Sequence, residues 1–147
     1  MCSETIFTAA HKGRLGLILD TNIVLDAFVF NDPATQSLKD ALAAKKHQWI
    51  STQAMRDELE RVLAYPKIVL RMAFYQVSAL EVLAQFDRQT QLHEVAPKAP
   101  VTCRDPDDQK FIDLAVTHKA ILLSKDNAVL CMAKRLSVLD VAARGAF

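Results

Sequence analysis

Two short apolar runs stand out along the chain, Leu15-Gly-Leu-Ile-Leu19 and Ala120-Ile-Leu-Leu123. Unbroken runs of this length mark strands buried on both faces of a parallel sheet. Each stops abruptly at polar residues, Asp20-Thr21-Asn22 after the first and Ser124-Lys125-Asp126 after the second. Between and around them the apolar positions recur with helical period. The pattern predicts a helix from Ile23, capped by Asn22 or Thr21. A second helix is predicted over 33–46, with Asp32 as N-cap and Pro33 in its first turn. A short strand follows at 47–50, then a helix capped by Ser51 or Thr52 that runs to about Ala64 and stops at Tyr65-Pro66. Residues 67–88 carry helical periodicity that divides into a short and a long helix, and 92–95 reads as a strand. Asp105-Pro106 opens a helix running to about His118. A short helix and a last strand at 136–139 close the pattern. Strands alternating with helices predict an α/β fold, a three-layer α/β/α sandwich around a central, mostly parallel sheet. Residues 1–14 read as a flexible N-terminal tail, and 15–147 as a single domain.

In open α/β sheets, ligands bind beyond the carboxyl ends of the strands. Both apolar runs end in an aspartate there, which draws attention to the acids. Asp20 is either a helix cap or a functional carboxylate, and Asn22 can take the capping role instead. Glu58 lies on the helix whose core stripe is Met55, Leu59, Val62 and Leu63. It falls at the margin of that stripe, where a carboxylate needs a partner. Pairing with Arg56 or Arg61 is the plainer alternative. On the helix from Pro106 the stripe is Phe111, Ile112, Ala115 and Val116, with Asp108 in phase with its centre. Asp113 points to the opposite, solvated face. Acids suit a helix N-terminus through the macrodipole, but that does not make one of them point inward. Asp105 is placed as the N-cap, with Asp107 to one side. Asp126 follows its strand as Asp20 does, and it too can cap a short helix. Ser124 can orient a carboxylate beside it.

Several inward carboxylates cannot share a pocket while ionised unless cations neutralise them. Mg²⁺ and Mn²⁺ prefer all-oxygen sites of this kind. Such an ion activates water and offsets charge on a phosphodiester, chemistry that needs no nucleophilic Ser or Cys.

Composition narrows the alternatives. Of 147 residues, 51% are hydrophobic and 24% charged, which excludes disorder. The formal net charge of +1 gives no electrostatic footprint of a duplex binder. With only three glycines there is no material for a Gly-rich phosphate cradle. Cys2, Cys103 and Cys131 are far apart and form no C-x-x-C pair, which fits a reducing cytoplasm. His11, His47, His93 and His118 are scattered without zinc-ligand spacing. No apolar run approaches the ~20 residues of a membrane span. Lys125 could hold a phosphate or simply face solvent, and Arg56, Arg61, Lys67 and Arg71 could flank an RNA groove. Trp49, Phe28 and Phe30 read as core.

Four stretches, LILDTNIVLDAF (17–28), ISTQAMRDELERVLAYPKI (50–68), CRDPDDQKFIDLAV (103–116) and ILLSKD (121–126), resemble in order and separation the PIN-domain family. The resemblance is to the group regarded as toxin components of bacterial toxin–antitoxin pairs. It implies a Mg²⁺- or Mn²⁺-dependent endoribonuclease acting on single-stranded RNA. It also implies a four-acid site of Asp20, Glu58, Asp108 and Asp126, in which Glu58 helps bind metal or positions the attacking water. Thr21, Asn22 and Ser124 would orient these acids. A homodimer and a small inhibitory antitoxin are the implied partners. A PIN-type RNA-processing nuclease without antitoxin is the nearest alternative. A non-catalytic Mg²⁺-binding regulatory or RNA-binding domain is a more distant one.

Overall fold

A computed structural model describes residues 15–147. The tail assigned to 1–14, with Cys2 and His11, lies outside the described residues. Five strands form one parallel sheet: β1 (Leu15–Leu19), β2 (His47–Thr52), β3 (Thr90–His93), β4 (Ile121–Leu123) and β5 (Ala142–Arg144), in the order β3-β2-β1-β4-β5. The helices are α1 (Thr21–Phe28), α2 (Gln36–Ala43), α3 (Gln53–Leu63), α4 (Pro66–Tyr75), α5 (Ala79–Gln89), α6 (Gln109–His118), α7 (Asn127–Leu130) and α8 (Ala133–Val138). Single 3₁₀ turns at Pro33–Thr35 and Pro106–Asp108 lead into α2 and α6.

The two apolar runs are the central pair β1 and β4, and their alternate residues feed different cores. Leu17, Leu19, Ile121 and Leu123 pack with residues of α1, α2, α3 and α5 on one face. Ile18 and Leu122 pack with Phe111, Ile112, Leu114, Val129 and Leu136 on the other. This is the three-layer α/β/α sandwich the pattern predicts. Trp49 is buried, stacked on Phe28 at 5.8 Å and edge-on to Phe86 at 5.2 Å, so it belongs to the core as read.

Strand order explains the division of helices. The chain moves outward from β1 to β2 to β3, then returns to β4 on the other side of β1. Parallel crossovers are right-handed, so reversing the direction of travel puts the later helices on the opposite face. The reversal falls between β1 and β4. That is the topological switch point, where an open α/β sheet leaves a crevice beyond its strand ends.

Several boundaries differ from those read in the sequence. The first helix begins at Thr21, not Ile23, with Asp20 in the N-cap position but no capping bond from its side chain. The predicted 33–46 helix is a 3₁₀ turn followed by α2, and the chain leaves it through Lys45 at φ 58°. Pro66 ends one helix and occupies the first turn of the next. The third strand lies two residues earlier than predicted, in register with Trp49–Thr52 of β2, which leaves Val95 exposed. The predicted strand at 136–139 is helix: Met132 and Leu136, one turn apart, are both buried while Val138 is exposed. Four residues of alternating pattern do not separate a strand from one turn of amphipathic helix. The last strand is Ala142–Arg144 instead.

Candidate metal centre

Asp20 and Asp126 follow β1 and β4, the two strands flanking the switch point. The Asp20 amide donates to the Leu123 carbonyl at 3.0 Å, which zips the two strand ends together. Ser124 is fully buried between them. Its hydroxyl donates to Asp20 Oδ2 at 2.7 Å and accepts from the Asp126 amide at 3.0 Å. One buried side chain therefore sets both the orientation of the first acid and the turn that carries the second. Asp126 also does what its position at a helix start suggests: Oδ1 accepts from the Ala128 amide at 2.9 Å. Its cap uses one oxygen and leaves the other for the site.

Asp108 comes from the opposite layer. It occupies the last position of the 3₁₀ turn, not the stripe of a continuous α-helix, yet its side chain faces inward and is buried. Asp105 caps that turn through the Asp107 amide at 2.9 Å, as read. Asp113 departs from expectation. It is half-buried, and Oδ1 accepts from the Ala99 amide at 2.9 Å and the Gln109 side chain at 2.7 Å. It anchors the loop before α6 and does not point freely into solvent.

Asp20, Asp108 and Asp126 each place a carboxylate oxygen within 4.8 Å of the others. Charges this close titrate together. Burial first, then the contact with Asp126 and the charge of Asp20, push Asp108 up to about 8. Asp126 moves the other way, lowered by the same contact with Asp108, by its cap bond and by the charge of Arg104. A proton shared between the two carboxyls accounts for both directions. Burial also raises Asp20, against the opposing bond from Ser124.

Glu58 stands beside this trio. Thr21 Oγ1 donates to Oε1 at 2.9 Å, and Lys110 Nζ, on the first turn of α6, lies 3.0 Å from Oε2. The charge of Glu58 contributes to raising Asp20. Pairing with Arg56 or Arg61 does not occur: Arg56 makes a bidentate bridge to Asp87 at 2.7 and 2.9 Å. Of the three orienting groups predicted, Ser124 and Thr21 bond to the acids. Asn22 is exposed and makes no side-chain hydrogen bond among the described residues. Lys125 pairs with the buried Asp26 of α1, tying the loop that bears Asp126 to the helix that follows Asp20.

Sequence reasoning missed Lys110 and Asp26. A lysine in the first turn of a helix opposes the macrodipole, and that mismatch was the one local signal for Lys110. Asp26 carried a signal of its own, an acid among five buried positions of α1.

Whether the trio fits a divalent ion is decided by Asp108. Its Oδ2 is shut from water and, among the described residues, has no hydrogen-bond partner, although buried polar atoms are nearly always satisfied. An oxygen left this way among two other carboxylates suits a hard cation, which takes oxygen ligands of this charge. The donor set fits.

An α/β/α sandwich with hard oxygen donors gathered at its switch point defines a class of metal-site proteins. The family model described as PIN domain matches residues 16–128, a span that includes all four acids. The chain belongs to the PIN domain family, whose members are generally metal-dependent nucleases. Comparison with curated proteins finds no match. Among the described residues, no helix is long and apolar enough to cross a membrane.

Proposed function

We propose that the protein is a Mg²⁺- or Mn²⁺-dependent endoribonuclease that hydrolyses phosphodiester bonds of single-stranded RNA, as the toxin of a toxin–antitoxin pair. The observation that carries the metal-dependent reading is the unpartnered, buried Asp108 Oδ2 within a cluster of three carboxylates. The four matching stretches support the RNA substrate and the toxin role.

In this reading Asp20, Asp108 and Asp126 hold the ion. When bound, the ion supplies activation of water and charge stabilisation at the phosphodiester. The remaining work belongs to the chain. Ser124 keeps Asp20 aimed into the cluster, and the Lys125–Asp26 pair holds the loop of Asp126 in place. Glu58, fixed by Thr21 and Lys110, positions the attacking water for in-line displacement. Asp108 and Asp126, which otherwise share a proton, would both be ionised with a cation held between them, that proton passing to solvent.

An antitoxin would find a surface on α4 and the start of α5. Leu70, Phe74 and Leu80 are 72%, 81% and 80% exposed. The segment from Arg61 to Leu80 contains three cations and no acid. Grouped exposed apolar residues mark interaction surfaces, and this charge balance suits a segment rich in acids.

Incubating purified protein with labelled single-stranded RNA and Mn²⁺ tests the activity. Cleavage is expected in the wild type and absent with EDTA or in Asp20→Asn. Cleavage that survives EDTA would rule the reading out.

A further inference from the structure

Glu58 is the acid that the structure leaves outside the cluster. The three aspartates meet within 4.8 Å, whereas both oxygens of Glu58 are engaged elsewhere. One accepts from the Thr21 hydroxyl at 2.9 Å and the other faces the Lys110 ammonium at 3.0 Å. Lys110 is itself anchored, donating a second bond to the Asp107 carbonyl one helical turn back. Its side chain is 29% exposed and that of Glu58 20%, so the pair lies at the rim of the site, partly screened from water.

Resting on the metal-dependent reading above, we infer that Lys110 stands where a second divalent ion would sit beside Glu58, so that the centre holds one ion. Four acids around one site invite two ions, and paired ions are a common solution for phosphodiester chemistry. Here one divalent ion on the aspartates and the fixed charge of Lys110 neutralise three of the four negative charges. A second ion at Glu58 would have to displace an ammonium already in hydrogen-bond contact and would lie within repulsion range of it. Mg²⁺ dehydrates reluctantly and is commonly held by only one or two carboxylates. Once Lys110 is gone, Glu58 and Asp20 alone would therefore suffice for a weaker second site. On this account Glu58 is a positioning residue and not an ion ligand. Lys110 supplies a permanent positive charge next to the phosphodiester without depending on ion concentration.

Ion stoichiometry reads this directly, with no need for turnover. Mn²⁺ titration by calorimetry, with electron paramagnetic resonance to detect coupled ion pairs, is expected to give one ion and no coupling in the wild type. Lys110→Met should take up a second ion and show the coupled signal. Glu58→Gln should still bind one, since it removes no ligand of the first. Two ions in the wild type, one ion in a folded Lys110→Met, or no ion in Glu58→Gln would each overturn the inference. A wild type that binds none would instead overturn the metal-dependent reading itself.

Discussion

Asp108 concentrates the chemistry of this protein in one side chain. A buried polar atom without a partner costs about 1–3 kcal/mol, more when charged, so the folded chain holds Asp108 protonated where an unfolded chain would release the proton. The sign follows from linkage. An ordinary aspartate titrates near ~3.9, and Asp108 is pushed up to about 8. Between these values the folded state binds the extra proton, so this group's contribution to stability falls as pH rises from about 4 to 8. Asp20, also raised by burial, acts in the same direction. Asp126 is lowered and acts below that window, where its favourable contribution is lost as pH falls. In EDTA, the urea midpoint at pH 8 is expected to be lower than at pH 5, and saturating Mn²⁺ should reduce the difference. An equal or higher midpoint at pH 8 in EDTA would count against the buried, cation-seeking carboxyl.

Side chains that meet across the fold are only partly visible in a sequence. Asp20 and Asp126 were legible because each follows an unbroken apolar strand; Asp108 was picked out by α-helical phase, although it faces inward from a 3₁₀ turn that precedes the helix. Lys110 and Asp26 each left a weak local signal, but their pairings with Glu58 and Lys125 join distant segments and could not be read from it. His93 and His118 make the same point. They look scattered along the chain, yet their rings lie 4.4 Å apart.

Among the elements, legibility followed burial. Strands β1 and β4 and helices α3 and α6 bury strong apolar patterns and fall close to where periodicity puts them. The polar strand β3, Thr-Gln-Leu-His, is fixed by pairing with β2 and carries little pattern of its own. The opposite failure is 136–139, whose apolar residues imitate a strand while Leu136 packs one helical turn after the buried Met132 and Val138 faces out. Helix α4 is apolar in sequence, but Met72 is its only buried residue. Helical stability in proteins comes mostly from packing of one face, and few buried contacts mean low local protection. Hydrogen-exchange mass spectrometry is expected to show faster exchange in α4 than in α6, which buries Phe111, Ile112, Leu114 and Ala115. Equal protection would mean that α4 is covered in solution, as a partner on its exposed face would do.

At the scale of the whole molecule, topology brings the site together. The order β3-β2-β1-β4-β5 makes neighbours of two strands separated by about a hundred residues of chain, and so places Asp20 against Ser124 and Asp126. The returning crossover then delivers Asp108 from the other layer. Alternating strands and helices made the sandwich legible in the sequence. The strand order and the switch point were not, because pairing partners leave no local trace.

If the carboxylates converge to hold a cation, thermal unfolding of the wild type and of Asp108→Asn, with and without Mn²⁺, will show it. Ion at a hundred times its dissociation constant adds about 2.7 kcal/mol, or about 5–10 °C in midpoint for a domain of this size. The wild type should show that rise. Asp108→Asn, relieved of its buried carboxyl, should be at least as stable as the wild type at pH 8 in EDTA and should lose most of the response to Mn²⁺. A wild type indifferent to Mn²⁺, or a variant that gains as much as the wild type, would mean that these aspartates do not hold a cation.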